Sequence, residues 1–246
     1  MKTILFGIIF LSSAVFMNAQ EVILDMDVDE QYKGTRGPNM RHYYHFYMSL
    51  GAVIDVDGEE GTAVNVWPSG QYLIGYRYKL KLLSFYAIGL DLSFKRTQYA
   101  LKIDNDRIVD LRNPLLYPFD IDRHKIVNNG LGIEFYHRIN IGKRGNTLGN
   151  YLDTGIRGQW NFSNVETLLL ISDDDSDFAK RTKIKNRQLS YVEPFSYGLT
   201  ARLGFNRIVV HANYRLSDYF REWLNDEIEI ITPELPRLIV GAQIVL

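Results

Sequence analysis

Apolar and polar residues alternate one by one along much of this chain, in runs that are long for a strand. From Gln71 onward, Tyr72, Ile74, Tyr76, Tyr78, Leu80 and Leu82 share one face of an extended segment, and Gln71, Gly75, Arg77, Lys79 and Lys81 share the other, because successive side chains of a strand point to opposite sides. A soluble sheet typically uses strands of about five or six residues. Runs of about ten, apolar on one face and polar or small on the other, match strands that cross a bilayer with one face to lipid.

The period recurs. Phe46, Met48, Leu50, Ala52 and Ile54 oppose His45, Tyr47, Ser49 and Gly51, and Tyr86, Ile88, Leu90, Leu92 and Phe94 oppose Ala87, Gly89, Asp91, Ser93 and Lys95. Further runs set Leu131, Ile133, Phe135, Ile139 and Ile141 against Glu134, Tyr136, Arg138 and Asn140, then Leu152, Thr154, Ile156, Trp160 and Phe162 against Asp153, Arg157 and Gln159. His137 falls on the apolar face, an exception that the pattern does not explain. The run 195–205 and the run from Ile208 keep Phe205 and Ile208 on the same face, as a two-residue hairpin at Asn206-Arg207 requires. A last run over 237–246 lets the sheet close, which removes edges whose unpaired backbone groups would be costly in lipid.

These runs predict an all-β fold, a transmembrane up-and-down antiparallel β-barrel of about eight strands over residues 40–246. The count requires a turn at Leu82, Leu83 and Ser84, which lack Gly, Pro or Asn. Connections near 57–70, 96–125, 164–190 and 218–234 read as long polar loops, and those near 83, 142–150 and 206 as short ones, the asymmetry expected of external and periplasmic sides.

Lys2, the apolar run from Ile4 to Phe16 and small Ala19 read as a signal peptide over 1–19, the apolar run being too short for a spanning helix. Residues 20–39 are then expected to form a short periplasmic segment, in which Asp25, Asp27, Asp29 and Glu30 alternate with Met26 and Val28, as an edge strand for a partner or as unstructured chain. The predicted location is the bacterial outer membrane, in contact with its lipid and lipopolysaccharide. The 246 residues leave no room for a further domain, and a net charge of -1 gives no basic field for nucleic acid. With no cysteine, disulfides, thiolate metal sites and lipid-modified cysteines are excluded.

Inward positions carry a charge cluster: Arg77, Asp91, Glu134, Arg138, Asp153, Arg157, Arg202 and Arg215, with Lys79, Lys81, Lys95 and Arg237 beyond it. Two readings stand side by side: a lumen or vestibule that attracts an anionic group, and a narrow barrel filled by paired side chains, with the rest snorkelling to its ends. The acidic run Asp173, Asp174, Asp175 and Asp177, like Asp55, Asp57, Glu59 and Glu60, lacks the Gly and terminal Glu of a calcium loop and reads as solvated loop. For nucleophilic chemistry the pairs His211 with Ser217 and His45 with Ser49 are the available ones, without a marked oxyanion hole. No Gly-rich phosphate loop or metal-ligand spacing occurs, so neither cofactor nor catalytic activity is expected. Tyr43, Tyr44, Tyr72, Tyr99, Trp160, Tyr214 and Tyr219 lie near strand ends, as aromatic girdles do.

Three short segments, Asn18-Ala19-Gln20, Tyr214-Arg215-Leu216-Ser217-Asp218-Tyr219-Phe220 and Pro236 through Gly241, resemble small outer-membrane barrels of the Bacteroidota, in particular PorT-like proteins linked to type IX secretion and gliding. The terminal Leu246 departs from the terminal aromatic residue common in proteobacterial barrels. The resemblance implies a non-enzymatic structural or accessory subunit of an envelope complex, with protein partners and a connection to secretion.

Overall fold

Each alternating run forms a strand in the computed structural model, which describes residues 36–55, 63–102, 120–142, 145–171, 181–221 and 234–246. The expected signal peptide, most of the segment 20–39 and the acidic residues at 57–60 and 173–177 lie outside the described residues. The strands are β1 (His42–Ile54), β2 (Gly70–Lys81), β3 (Tyr86–Leu101), β4 (Asp120–Ile141), β5 (Asn150–Ile171), β6 (Arg181–Arg187), β7 (Phe195–Phe205), β8 (Ile208–Arg215) and β9 (Leu238–Val245). Every pairing is antiparallel.

The sheet closes on itself. Its order is β4-β3-β2-β1-β9-β8-β7-β5-β6 with a further β4–β5 pairing, so all strands except β6 form a ring and β6 hangs on the outer part of β5. Where about eight strands were expected, the described residues form nine, of which eight make the barrel-like ring. Along one edge β5 pairs with β4 throughout; along the other, Asn150–Trp160 pair with β7 and Val165–Ile171 with β6.

The expected long loops at 96–125 and 164–190 are corrected too, because β3, β4 and β5 run on into them and β6 lies within the second. A β-bulge explains the shortfall on β5. The register jumps from Asn129↔Ser163 to Gly130↔Asn161, leaving Phe162 as the extra residue. Buried positions are odd-numbered before it (Tyr151, Asp153, Arg157, Gln159, Asn161) and even-numbered after it (Asn164, Leu168, Leu170), so the alternation breaks in the sequence while the strand continues. β6, reading RTKIKNR, has almost every side chain exposed and no apolar face to announce it. A small cluster of Leu168 and Leu170 with Ile121 and Ile184 holds this extension.

The turn after β2 uses Leu82 to Phe85, closed by hydrogen bonds from the Leu82 and Leu83 amides to the Tyr86 carbonyl, both 3.0 Å. His137 finds a partner on its own face: Thr154, directly across on β5, lies 2.5 Å from its Nε2.

The faces have inverted polarity. Phe46, Met48, Leu50, Ile74, Leu92, Phe94, Ile133, Phe135, Ile156, Leu199, Leu203 and Ile244 are all exposed on the outer wall, whereas Arg77, Lys79, Asp91, Glu134, Arg138 and Asp153 are buried inside. Apolar side chains enclose the polar interior at both ends. Toward the long connections Val53, Val64, Tyr99, Leu101, Ile126 and Tyr219 belong to one cluster, and toward the short turns Leu148, Tyr151, Val209 and Val245 form another, with Tyr43 packed against it.

Ring closure depends on two glycines that face each other across the β1–β9 seam, Gly51 and Gly241. A Cβ on Gly241 would sit 2.1 Å from the Leu50 carbonyl oxygen and 2.6 Å from Gly51 Cα, both backbone atoms that cannot step aside. Gly241→Val is therefore expected to destabilise the ring by at least about 1–3 kcal/mol, the usual scale of overpacking. Gly158→Ala, whose nearest neighbour would be Ile133 Cγ2 at 3.9 Å, should be nearly neutral. Urea midpoints of the two purified variants check this; equal midpoints would contradict it.

Candidate functional site

The charged inward residues of five strands meet in the middle of the ring. Arg77 on β2 lies opposite Asp91 on β3, and Asp91 opposite Glu134 on β4, because the registers place them in one row. Glu134 then pairs with Arg157 on β5, and the next row joins Arg138, Asp153 and Arg202. Cross-strand neighbours inside a closed ring thus bring together residues far apart in sequence.

Arg77 Nε donates to Asp91 Oδ2 at 2.8 Å, and the Tyr47 hydroxyl donates to Asp91 Oδ1 at 2.8 Å. Arg138 holds Asp153 with a two-pronged grip, Nε to Oδ1 at 2.7 Å and Nη2 to Oδ2 at 2.9 Å. Arg202 bonds Glu134 and stands 3.4 Å from Asp153 Oδ2, linking the two rows. Thr200 donates to Glu134 at 2.9 Å, and Arg157 Nη2 donates to Ser93 at 2.8 Å while its Nε lies 3.8 Å from Glu134 Oε2. Tyrosine rings fill the remaining sides: Arg77 lies 4.4 Å from the Tyr47 ring, Arg138 3.5 Å from that of Tyr151 and Arg202 5.1 Å from that of Tyr136. Such planar guanidinium stacking adds attraction once water is excluded.

Of the sequence-predicted cluster, Arg77, Asp91, Glu134, Arg138, Asp153, Arg157 and Arg202 meet in this network. Arg215 does not. It lies at the long-connection end of β8, where it pairs with Glu234 at 3.1 Å and donates to the carbonyls of Ser217 and Leu235. Lys79 reaches toward the other end, donating to the Pro38 carbonyl. Arg237, farther out, pairs with Asp218 at 2.6 Å.

Sequence reasoning paired the histidines and serines differently from the structure. Ser49 meets His211, 2.6 Å from its Nε2, and Asn213 Nδ2 lies 3.1 Å from His211 Nδ1. The two contacts make a hydrogen-bonded chain through the interior, in which the donor and acceptor roles of the imidazole nitrogens follow its tautomer. The pairing spans 162 residues and follows from register around the ring, which local sequence does not carry. Among the described residues no three His, Asp or Glu side chains converge as a metal site.

The extension carries a separate polar clip. His124 on β4 lies 2.9 Å from Glu166 on β5, and Asn186 on β6 donates to Glu166 at 3.1 Å. Burial pushes the Glu166 carboxyl up, but hydrogen bonds from His124 and Asn186 outweigh it and hold the group below its ordinary range.

Compared with known protein families and with curated proteins, the chain matches no family model and no curated relative.

Two expectations follow. Removing one partner of the buried pair, as in Asp153→Asn, strands a charge and should cost about 3–5 kcal/mol, whereas the double replacement Arg138→Met with Asp153→Leu should cost less than either single change. A denaturation cycle reads this directly, and additive losses would contradict it. Because Glu166 has a lowered folded pKa, its clip contributes above the ordinary carboxylate range and is lost as pH falls through the folded value. Hydrogen-exchange protection of β6, corrected for intrinsic rates, should therefore fall as the pH is lowered below the ordinary carboxyl value of 4.5 while β1 to β3 keep theirs; a β6 protection that does not change with pH would contradict the clip.

Proposed function

We propose that the chain is an outer-membrane β-barrel with a filled interior that serves as a structural or accessory subunit of a cell-envelope complex. The observation that carries this reading is the inverted polarity of the ring. In water, an apolar wall contributed by every strand of the ring would be a large uncovered patch, of a kind that soluble monomers avoid; in lipid it is the favoured face, and a closed ring leaves no strand edge unpaired. Among the described residues the interior is filled by ion pairs and flanked at both ends by apolar clusters, which argues against a wide diffusion pore.

A filled interior shifts contact with protein partners to the outside, meaning the lipid-facing wall, the β4–β5–β6 extension and the residues before β1. Each of these can hold partners without moving the barrel. The segment resemblance to PorT-like barrels supports a connection with secretion on the same terms. Purification of the tagged chain from its native envelope in mild detergent, after brief cross-linking, tests the reading. A stoichiometric set of envelope proteins is expected. A chain that purifies alone and turns over a lipid or peptide would overturn it in favour of an enzyme.

A further inference from the structure

We infer that the long-connection end of the ring holds a binding site for a phosphate-type oxoanion, built around Lys95 and Arg157. A cavity of about 50 Å³ lies there, and its described lining contains Lys95, Arg157, Arg215 and Arg237 but no carboxylate. That volume is several times the minimum of about 10–15 Å³ that one water requires. It has room for a phosphate or sulfate group.

The partners of the four cations differ in a way that points to a missing anion. Arg215 is matched by Glu234 and Arg237 by Asp218. Arg157 is buried, with 7% of its side chain exposed, and its Nε makes no hydrogen bond. The nearest carboxylate, Glu134, is held more closely by Arg202. Lys95, half-buried on β3, makes no hydrogen bond or ion pair among the described residues. An ammonium facing a cavity beside guanidinium groups, without a counter-charge, is unfavourable unless something negative enters. Gln159, Ser196 and Asn213 also line the space and supply neutral donors around the charge. Lysine gives a point charge and arginine a planar fork, the usual pairing of groups on phosphate oxygens.

The anion could belong to a lipid headgroup, lipopolysaccharide phosphate included, or arrive as a free ion; the chemistry at the site is the same. The inference requires this cavity at the long-connection end and not the membrane assignment, so the two can fail separately.

The test uses the purified full chain in neutral detergent. Its unfolding midpoint is followed as sodium phosphate replaces sodium chloride at constant ionic strength, and in parallel as phosphatidylglycerol replaces phosphatidylcholine in mixed micelles. A saturable rise is expected in at least one arm. A rise with free phosphate identifies a soluble anion, and a rise with phosphatidylglycerol alone identifies a headgroup. Lys95→Met should bind about tenfold more weakly or worse, the loss expected for one charge-assisted hydrogen bond. The same variant should be no less stable than the parent without ligand, since it removes an unpaired charge. No rise in either arm, an equal rise in Lys95→Met, or a Lys95→Met chain that fails to fold would each overturn the inference, the last because Lys95 would then have a structural partner.

Discussion

Seven charged side chains enclosed between two apolar clusters set the terms for the rest of this molecule. Stripping an ion of water costs several kcal/mol even after relaxation, so Arg77, Arg138 and Arg202 stay inside because Asp91, Glu134 and Asp153 meet them at bonding distance. Those meetings hold only in one register of the ring. A slip of one residue on any strand would turn its charges outward and its apolar residues inward. The network and the closure of the sheet are therefore one constraint: the ring aligns the ion pairs, and the ion pairs reject other alignments. The same geometry forces the apolar residues onto the outer wall, and from that follows the proposal that lipid is their solvent.

The sequence carried the parts of this fold that repeat with a period of two. On β1, β2 and β3 the faces found in the structure are those expected from alternation, down to exposed Ile74 and Leu92 and buried Arg77 and Asp91. Alternation fails wherever the ladder is irregular or wet. The bulge at Phe162 swaps the buried parity of β5 midway, and β6 offers no apolar face because its side chains stand almost wholly in the open. His137 looked misplaced because its explanation, Thr154, stands on the neighbouring strand.

The site was legible by residue type and not by partner. Inward charge identified the members of the network, since parity tells which face a residue takes. Which carboxylate meets which arginine, and that Ser49 faces His211 while Arg215 stands apart with Glu234, depends on how the strands are staggered around the ring. The tyrosines Tyr47, Tyr136 and Tyr151 were visible as inward positions, but their part in stacking on guanidinium groups emerges only when the strands close. The two ends of the interior also differ: toward the short turns Lys79 reaches a backbone carbonyl, while toward the long connections the described residues leave a cavity lined by Lys95, Arg157, Arg215 and Arg237.

The central claim is that lipid covers the outer wall while the charged face is sealed within. The chain has no cysteine, so single cysteines placed one at a time report their surroundings without background. Cysteines at positions 74, 92, 133 and 203 in native membranes should resist a membrane-impermeant maleimide and, once labelled in detergent with a fluorophore and returned to bilayers, be quenched by lipid-attached quenchers. Rapid labelling of all four by the water-soluble reagent, with no quenching from the lipid phase, would contradict the account.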